Sequence, residues 1–185
     1  QIVFFEDKNF QGRSYECASD TPDLRTYFSR CNSIKVQSGC WVLYEHPNYT
    51  GNQYVLSHGE YPDHQQWMGF NESIKSCRAI KNVSSGSRAG LLAHTVFDVL
   101  LGKRIRVYER PDFSGQMLEC TEDLRDLADH WHHHEVQSAQ VLDGTWVFFE
   151  LPNFHGRQYL LEKGEYRRFT EWAAMNPKVG SFRRV

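Results

Sequence analysis

Four glutamates stand at matched places in this chain: Glu6, Glu45, Glu109 and Glu150 each directly follow an aromatic residue (Phe5, Tyr44, Tyr108 and Phe149). Paired carboxylates do general acid–base or nucleophilic work when their environments separate their proton affinities, so these are the first candidates for catalysis. A second candidate is His130-Trp131-His132-His133-His134-Glu135, a composition typical of metal-binding tracts. Side chains alternate faces along an extended chain, so at most two of the three consecutive histidines share one face. His132 and His134 are thus weak candidate metal ligands, suited at most to adventitious Cu²⁺ or Zn²⁺. Five cysteines (Cys17, Cys31, Cys40, Cys77, Cys120) are odd in number and lack CxxC spacing. They read as reduced thiols in a cytosolic protein, filling core and near-surface positions as small apolar groups. Neither a Ser–His–Asp nor a Cys–His motif is signalled, and nothing calls for a cofactor.

The elements that carry the glutamates change their meaning. Each glutamate sits in an eight-residue repeat: Phe5 to Gly12, Tyr44 to Gly51, Tyr108 to Gly115 and Phe149 to Gly156. The pattern is aromatic, Glu, three mostly polar residues, a second aromatic, any residue, Gly. Internal repetition of this kind controls the fold. A glycine fixed behind two aromatics predicts a folded-over hairpin, in which Gly12, Gly51, Gly115 and Gly156 adopt backbone angles closed to other residues and let an aromatic ring lie across the turn. A serine follows each glycine by 21 to 25 residues: Ser33, Ser76, Ser138 and Ser181. A hydroxyl there can hydrogen-bond the hairpin backbone. This is scaffolding chemistry, and the carboxylates belong to the architecture or to surface pairs.

The wider pattern is a duplication. Trp41, Gly59, Trp67 and Ser76 recur as Trp146, Gly164, Trp172 and Ser181, each 105 residues later, while Gly12 and Gly115 are 103 apart. Short β-branched and aromatic runs at 2–5, 13–17, 32–36, 40–44, 53–56 and 76–80 read as strands, and the Gly59-Glu60-Tyr61-Pro62 stretch as a turn toward Trp67. Within the repeated motifs the one helical candidate is Asp123 to His130. The class is all-β, with a sandwich in each half built from two similar motifs, about 1–38 and 39–81, then a linker over 82–102, then motifs of about 103–142 and 143–185. The formal net charge of −2, with mixed signs, gives no basis for nucleic-acid binding. No apolar run is long enough to span a membrane, and the start QIVFFEDKNF is no signal peptide. It lacks Met and enters a strand at once, as if a few native residues precede it.

These four hairpins, each with its later serine and arranged as two duplicated halves, resemble the βγ-crystallin superfamily. The wording EDKNFQGRSYEC, SRCNSIKV, GEYPDHQQWMGFN, PDFSGQM and GRQYLL is similar to vertebrate lens γ-crystallins, and GRQYLLEKGEYRRFTEW leans toward the γS or fish γM branches. The resemblance covers residues 2–81 and 103–185. It implies two βγ-crystallin domains of four-plus-four strands, each a β-sandwich of two Greek keys (about 1–38 and 39–81, then about 103–142 and 143–185), a monomer without obligatory partners that makes weak self- and crystallin contacts at high concentration, and no enzyme activity. It further implies a structural, refractive role in the cytoplasm of lens fibre cells. By the same resemblance, Trp41, Trp67, Trp146 and Trp172 are the buried pairs, with Trp131 outside the pattern. Val42, Val55 and Ile80, matched by Val147, Leu160 and Val185, would make the apolar interface between the domains.

Some βγ-crystallins bind calcium through an Asn/Asp-Asn/Asp-x-x-Ser/Thr-Ser pattern of hard oxygen donors. The stretches ending at the four serines here, 28–33, 71–76, 133–138 and 176–181, lack the full pattern, and Arg30, Cys31 and Lys75 oppose it, so high-affinity calcium binding is not expected. The segment 82–102 exceeds a usual γ-type linker. It begins with the flexible Ser84-Ser85-Gly86-Ser87 and continues with Leu91, Leu92, Val96, Phe97, Leu100 and Leu101 at helix-like spacing. It reads as a loop or short helix over the domain cleft, as retained non-coding sequence, or as a partner- or membrane-touching helix. The leading function is therefore a structural lens protein. A calcium- or metal-binding module, or a non-lens partner-binding or stress protein, are the alternatives.

Overall fold

The computed structural model describes residues 1–81 and 102–185; the linker expected over 82–102 lies, but for Gly102, outside the described residues. The chain divides into two compact units, Gln1–Lys81 and Asn82–Val185.

In the first unit the strands are β1 (Ile2–Asp7), β2 (Gln11–Cys17), β3 (Ser33–Val36), β4 (Trp41–His46), β5 (Thr50–Leu56), β6 (Gly59–Tyr61) and β7 (Ser76–Ala79). One antiparallel sheet runs β2-β1-β3-β6; in the facing layer β4 pairs with β5 on one side and β7 on the other. The stretch Gly59–Tyr61, expected as a turn, is thus a strand. It leaves its own Greek key and pairs with β3 of the other, Ile34 opposite Tyr61 and Val36 opposite Gly59. The reverse exchange is shorter: Thr21 bridges Cys77 on β7, its amide donating to the Cys77 carbonyl at 2.9 Å and its carbonyl accepting at 3.1 Å. Pro22, which has no donor, follows at once. The fourth strand of that layer is therefore a bridge and not a full ladder.

The second unit repeats this with β8 (Arg104–Arg110), β9 (Ser114–Cys120), β10 (Ser138–Asp143), β11 (Trp146–Leu151), β12 (His155–Leu161), β13 (Gly164–Tyr166) and β14 (Ser181–Arg184). Its first sheet is β13-β10-β8-β9, β11 pairs with β12 and β14, and Leu124 bridges Phe182 as Thr21 bridges Cys77. Among the described residues the helical elements are 3₁₀ turns. The candidate helix Asp123–His130 contains one, Leu127–Asp129, with the Asp126 carboxylate accepting the Ala128 amide at its start. The Asp126 cap starts a helical turn, but the stretch is too short for an α-helix to propagate beyond its costly nucleus.

Alternation along the strands builds one core per unit. Ile2, Phe4, Ile34, Trp41, Leu43, Tyr54, Leu56 and Trp67 meet in the first. Ile105, Val107, Val141, Trp146, Phe148, Leu161, Trp172 and Phe182 meet in the second. Trp131 joins that second core, although its neighbours in sequence are histidines.

Candidate functional site: four clasped hairpins

The chemistry of this fold is concentrated in the four hairpins, and each is built alike. Asn9 and Phe10 both take left-handed backbone angles (φ 55° and 62°), as do Asn48 and Tyr49, Asp112 and Phe113, and Asn153 and Phe154. The hairpin glycines follow at φ +82° (Gly12), +85° (Gly51), +78° (Gly115) and +86° (Gly156). Side-chained residues enter this region at a cost, which Asn and Asp bear best and an aromatic residue poorly. Something must hold the turn in place. Three groups do.

The first is the distant serine, fully buried in every case. Ser33 Oγ donates to the Asp7 carbonyl at 2.6 Å and accepts the Phe10 amide at 2.9 Å. Ser76 Oγ bonds the His46 carbonyl (2.7 Å) and Tyr49 amide (3.1 Å). Ser138 bonds the Arg110 carbonyl (2.6 Å) and Phe113 amide (3.0 Å). Ser181 bonds the Leu151 carbonyl (2.7 Å) and Phe154 amide (2.9 Å). One hydroxyl thus satisfies a donor and an acceptor that the fold-over takes out of the strand ladder. Ser138→Ala leaves both orphaned and is expected to cost about 1–3 kcal/mol of second-unit stability, read from urea denaturation. A cost below about 0.5 kcal/mol would mean that water replaces the clasp.

The second is the aromatic pair. Phe5 and Phe10 meet edge-on at 5.7 Å, Tyr44 and Tyr49 at 5.6 Å, Tyr108 and Phe113 at 5.6 Å, and Phe149 and Phe154 at 5.7 Å. Edge-to-face contact suits the ring quadrupole, and cations lie over three of the second rings: Lys35 over Phe10, Arg167 over Phe113, Arg125 over Phe154. Other side chains stand close beside the glycines. The atoms nearest a Cβ there include those of Asp7, His46, Arg110 and Leu151, each five residues before its glycine.

The third is a cross-brace. The amide of the first left-handed residue donates to the partner Greek key of its own unit: Asn9 to the Pro62 carbonyl (2.9 Å), Asn48 to Pro22 (2.8 Å), Asp112 to Arg167 (2.9 Å) and Asn153 to Arg125 (2.8 Å). Each motif therefore holds the turn of its neighbour. The sequence signal for this was the Asn or Asp before every second aromatic, a residue type that tolerates the left-handed region.

The four glutamates are divided among the hairpins. Glu6 Oε2 accepts the Ser29 amide at 2.8 Å and hydroxyl at 3.1 Å, and that amide bond holds its carboxyl below the usual range. Glu45 Oε2 accepts the Asn71 (2.8 Å) and Asn52 (3.2 Å) side-chain amides. Glu109 lies 3.7 Å from Arg110, and Glu150 flanks Gly156. These are structural contacts: Glu6 and Glu45 tie their hairpins to the loops that carry Ser29 and Asn71, and Glu109 and Glu150 stay beside their own hairpins.

His132 is exposed, and His134 Nε2 lies 2.7 Å from the Asp126 carboxylate, which this contact holds below its ordinary range. Among the described residues no three His, Cys, Asp or Glu side chains come together as a metal site. The oxygens of the degraded calcium stretches bond internally: Ser29 Oγ to Glu6, Ser73 Oγ to the Glu45 carbonyl, and the Asn71 and Asn176 amide oxygens to the Ser73 and Lys178 amides.

Trp41, Trp67, Trp146 and Trp172 are buried. Trp41 Nε1 donates to the Ser38 carbonyl and Trp146 Nε1 to Asp143, both at 3.1 Å. Val42 faces Val55 across β4 and β5, and Val147 faces Leu160 across β11 and β12. These four and Ile80 are buried, and Val185 is half-buried.

The Beta/Gamma crystallin family pattern matches residues 1–80 and 104–185. The chain is similar to gamma-crystallin B of Rattus norvegicus, at 55% identity over 185 residues covering 100% of this chain and 97% of that one. To gamma-crystallin B of Bos taurus it is 56% identical over 186 residues with the same coverage, and to gamma-crystallin D of Macropus fuliginosus 55% identical over 185 residues, again covering 100% and 97%. With the family pattern over both hairpin-bearing units and whole-length relatives at this identity, this chain belongs to the β/γ-crystallin family.

Proposed function

We propose that this chain is a structural, refractive protein of the eye lens: a durable monomer held at high concentration in the cytoplasm of lens fibre cells, making only weak contacts with its own kind. The observation that carries the reading is whole-length similarity to gamma-crystallins on a fold whose polar groups are spent on clasping hairpins. Composition supports it. Aromatics make up 14% of residues and arginine outnumbers lysine 14 to 7; both are polarisable, which raises the refractive increment. The chain has no catalytic role. Its carboxylates hold backbone amides, side-chain amides and neighbouring cations. The test is quantitative proteomics of dissected tissue together with refractometry of the purified protein. The reading expects the chain among the dominant soluble lens proteins, with an increment above the average for globular proteins; trace abundance in lens would overturn it.

The domain boundaries belong to the same proposal: 1–81 and 103–185 as the two domains, each holding two Greek keys, with 82–102 between them. Strand parity supports an apolar second face on each. On β4, Trp41 and Leu43 enter the first core, so Val42 points the other way, and on β5 Val55 does the same beside Tyr54 and Leu56. A strand apolar on both faces needs cover on both. Val42, Val55 and Ile80 with Val147, Leu160 and Val185 are proposed to supply that cover for one another. Leu160→Asp places a charge on this face and is expected to cost about 2 kcal/mol or to separate the two unfolding transitions in guanidinium. An unchanged denaturation curve would remove the residue from the interface.

A further inference from the structure

Cys17 ends β2 in one layer of the first unit, and Cys77 sits in β7 of the facing layer, 60 residues on. Both are buried, and their sulfurs lie 3.8 Å apart. Around Cys17 Sγ are the Ser19 carbonyl at 3.0 Å and the Thr21 hydroxyl at 3.2 Å. Ala18, Ser19 and Asp20, the residues that cover the pair, are exposed. We propose that Cys17 and Cys77 are a peroxide-reactive dithiol, converted by hydrogen peroxide into an intramolecular disulfide that joins the two layers of the first unit.

The chemistry balances with hydrogen peroxide as the only oxidant. The Cys17 thiolate attacks one peroxide oxygen and the O–O bond breaks, leaving the sulfenic acid of Cys17 and a hydroxide that takes up the proton Cys17 released. The Cys77 sulfur then attacks the sulfenic sulfur. The S–O bond breaks, and the Cys77 proton leaves with the departing oxygen as water. Two thiols and one peroxide become one disulfide and two waters, and an added dithiol reverses the change. The sulfurs must close to about 2.05 Å.

The roles are unequal. The hydrogen bond from the Cys77 thiol, helped by Thr21 and the Ser19 backbone, lowers the Cys17 thiol to about 6, while the same contact and burial push Cys77 far up. Cys17 is therefore the attacking group and Cys77 the resolving one. The second unit holds an internal control. Cys120 stands opposite Ile105 as Cys17 stands opposite Ile2. At the place of Cys77, however, is Phe182, opposite Phe148 as Cys77 is opposite Leu43. Burial raises the Cys120 thiol to about 11. The same strand end without a second sulfur should stay reduced.

The experiment exposes the reduced full-length protein to hydrogen peroxide, quenches with catalase, titrates thiols in denaturant and maps peptides without reduction. Expected are a fall from five thiols to three, a mass loss of about 2 Da, a Cys17–Cys77 linked peptide, an unmodified Cys120 and full reversal by dithiothreitol. The exposed Met175 serves as the dosimeter. Five thiols surviving a dose that converts Met175 to sulfoxide would overturn the proposal, as would a bond from Cys17 to any other cysteine. Cys77→Ser, whose hydroxyl can still donate to the Cys17 sulfur but cannot resolve it, should leave a Cys17 sulfenic acid that dimedone traps, and the wild-type map stands without the variant.

Discussion

Truncation of Phe148 to alanine is expected to lower the stability of the second unit by about 3–5 kcal/mol, the cost of removing a large buried ring and leaving a cavity that its neighbours cannot fill. Phe148 lies in the middle of β11, fully buried, with ring centroids 5.2 Å from Trp172 and 5.7 Å from Phe182. Trp146 closes the group at 5.9 Å from Phe182. Interlocked rings on paired strands leave little freedom to collapse into the space, which places the cost toward the upper end of the range. The first unit has Leu43 and Cys77 where the second has Phe148 and Phe182, so Leu43→Ala should cost less, about 2–4 kcal/mol. Guanidinium unfolding followed by tryptophan fluorescence reports both, since Trp146 and Trp172 belong to the second core and Trp41 and Trp67 to the first. A Phe148→Ala loss below about 1 kcal/mol would mean that the aromatic cluster repacks.

The hairpins were legible in the sequence because each of their demands is met by a particular residue type nearby. A left-handed turn wants glycine, and an orphaned amide and carbonyl want a hydroxyl. Repetition then separates these residues from background: Ser33, Ser76, Ser138 and Ser181 stand out only because their spacing from Gly12, Gly51, Gly115 and Gly156 recurs. What the spacing could not convey was the partner of each atom. The space beside the glycines is taken by residues such as Asp7 and Arg110, which vary from repeat to repeat and so carry no periodic signal.

The exchange of Gly59–Tyr61 into the sheet of the other Greek key was illegible for a different reason. Three residues with a glycine and a following proline make a turn by local propensity. The pairing with Ser33–Val36 is a tertiary effect that overrides it. Trp131 was hidden by its neighbours. His130, His132 and His133 are exposed, and only the return of the chain through the 3₁₀ turn aims the indole inward, its amide donating to the Leu127 carbonyl at 2.9 Å. A composition that suggests metal is there the wet flank of a core residue. The glutamates make the same point: matched positions arise from a shared architecture as readily as from shared chemistry.

Gly180→Val is the substitution expected to test the clasp most severely. Gly180 precedes Ser181, and a Cβ built on it would lie 2.3 Å from the Leu151 carbonyl carbon and 2.4 Å from the Pro152 nitrogen. Both are backbone atoms of the fourth hairpin, so no side chain can swing aside. The glycine is needed for close approach, and the hydrogen bonds show why the approach is fixed. Its amide donates to the Phe149 carbonyl at 2.9 Å, its carbonyl accepts the Leu127 amide at 2.8 Å, and Ser181 beside it holds the Leu151 carbonyl. Relieving the clash means lengthening these contacts together. The other three repeats carry Asn32, Lys75 and Gln137 before their serines, with amides donating to Phe5, Tyr44 and Tyr108, so their hairpins accommodate a side chain that the fourth does not. Overpacking costs about 1–3 kcal/mol in a tolerant core, and Gly180→Val, pressing on backbone, should reach about 3 kcal/mol or more, with Gly180→Ala between it and wild type. The order expected in urea midpoints for the second unit is wild type, then Gly180→Ala, then Gly180→Val. Equal midpoints for all three would show that the fourth hairpin can move away from its serine strand without loss, and the clasp would then not be what sets its stability.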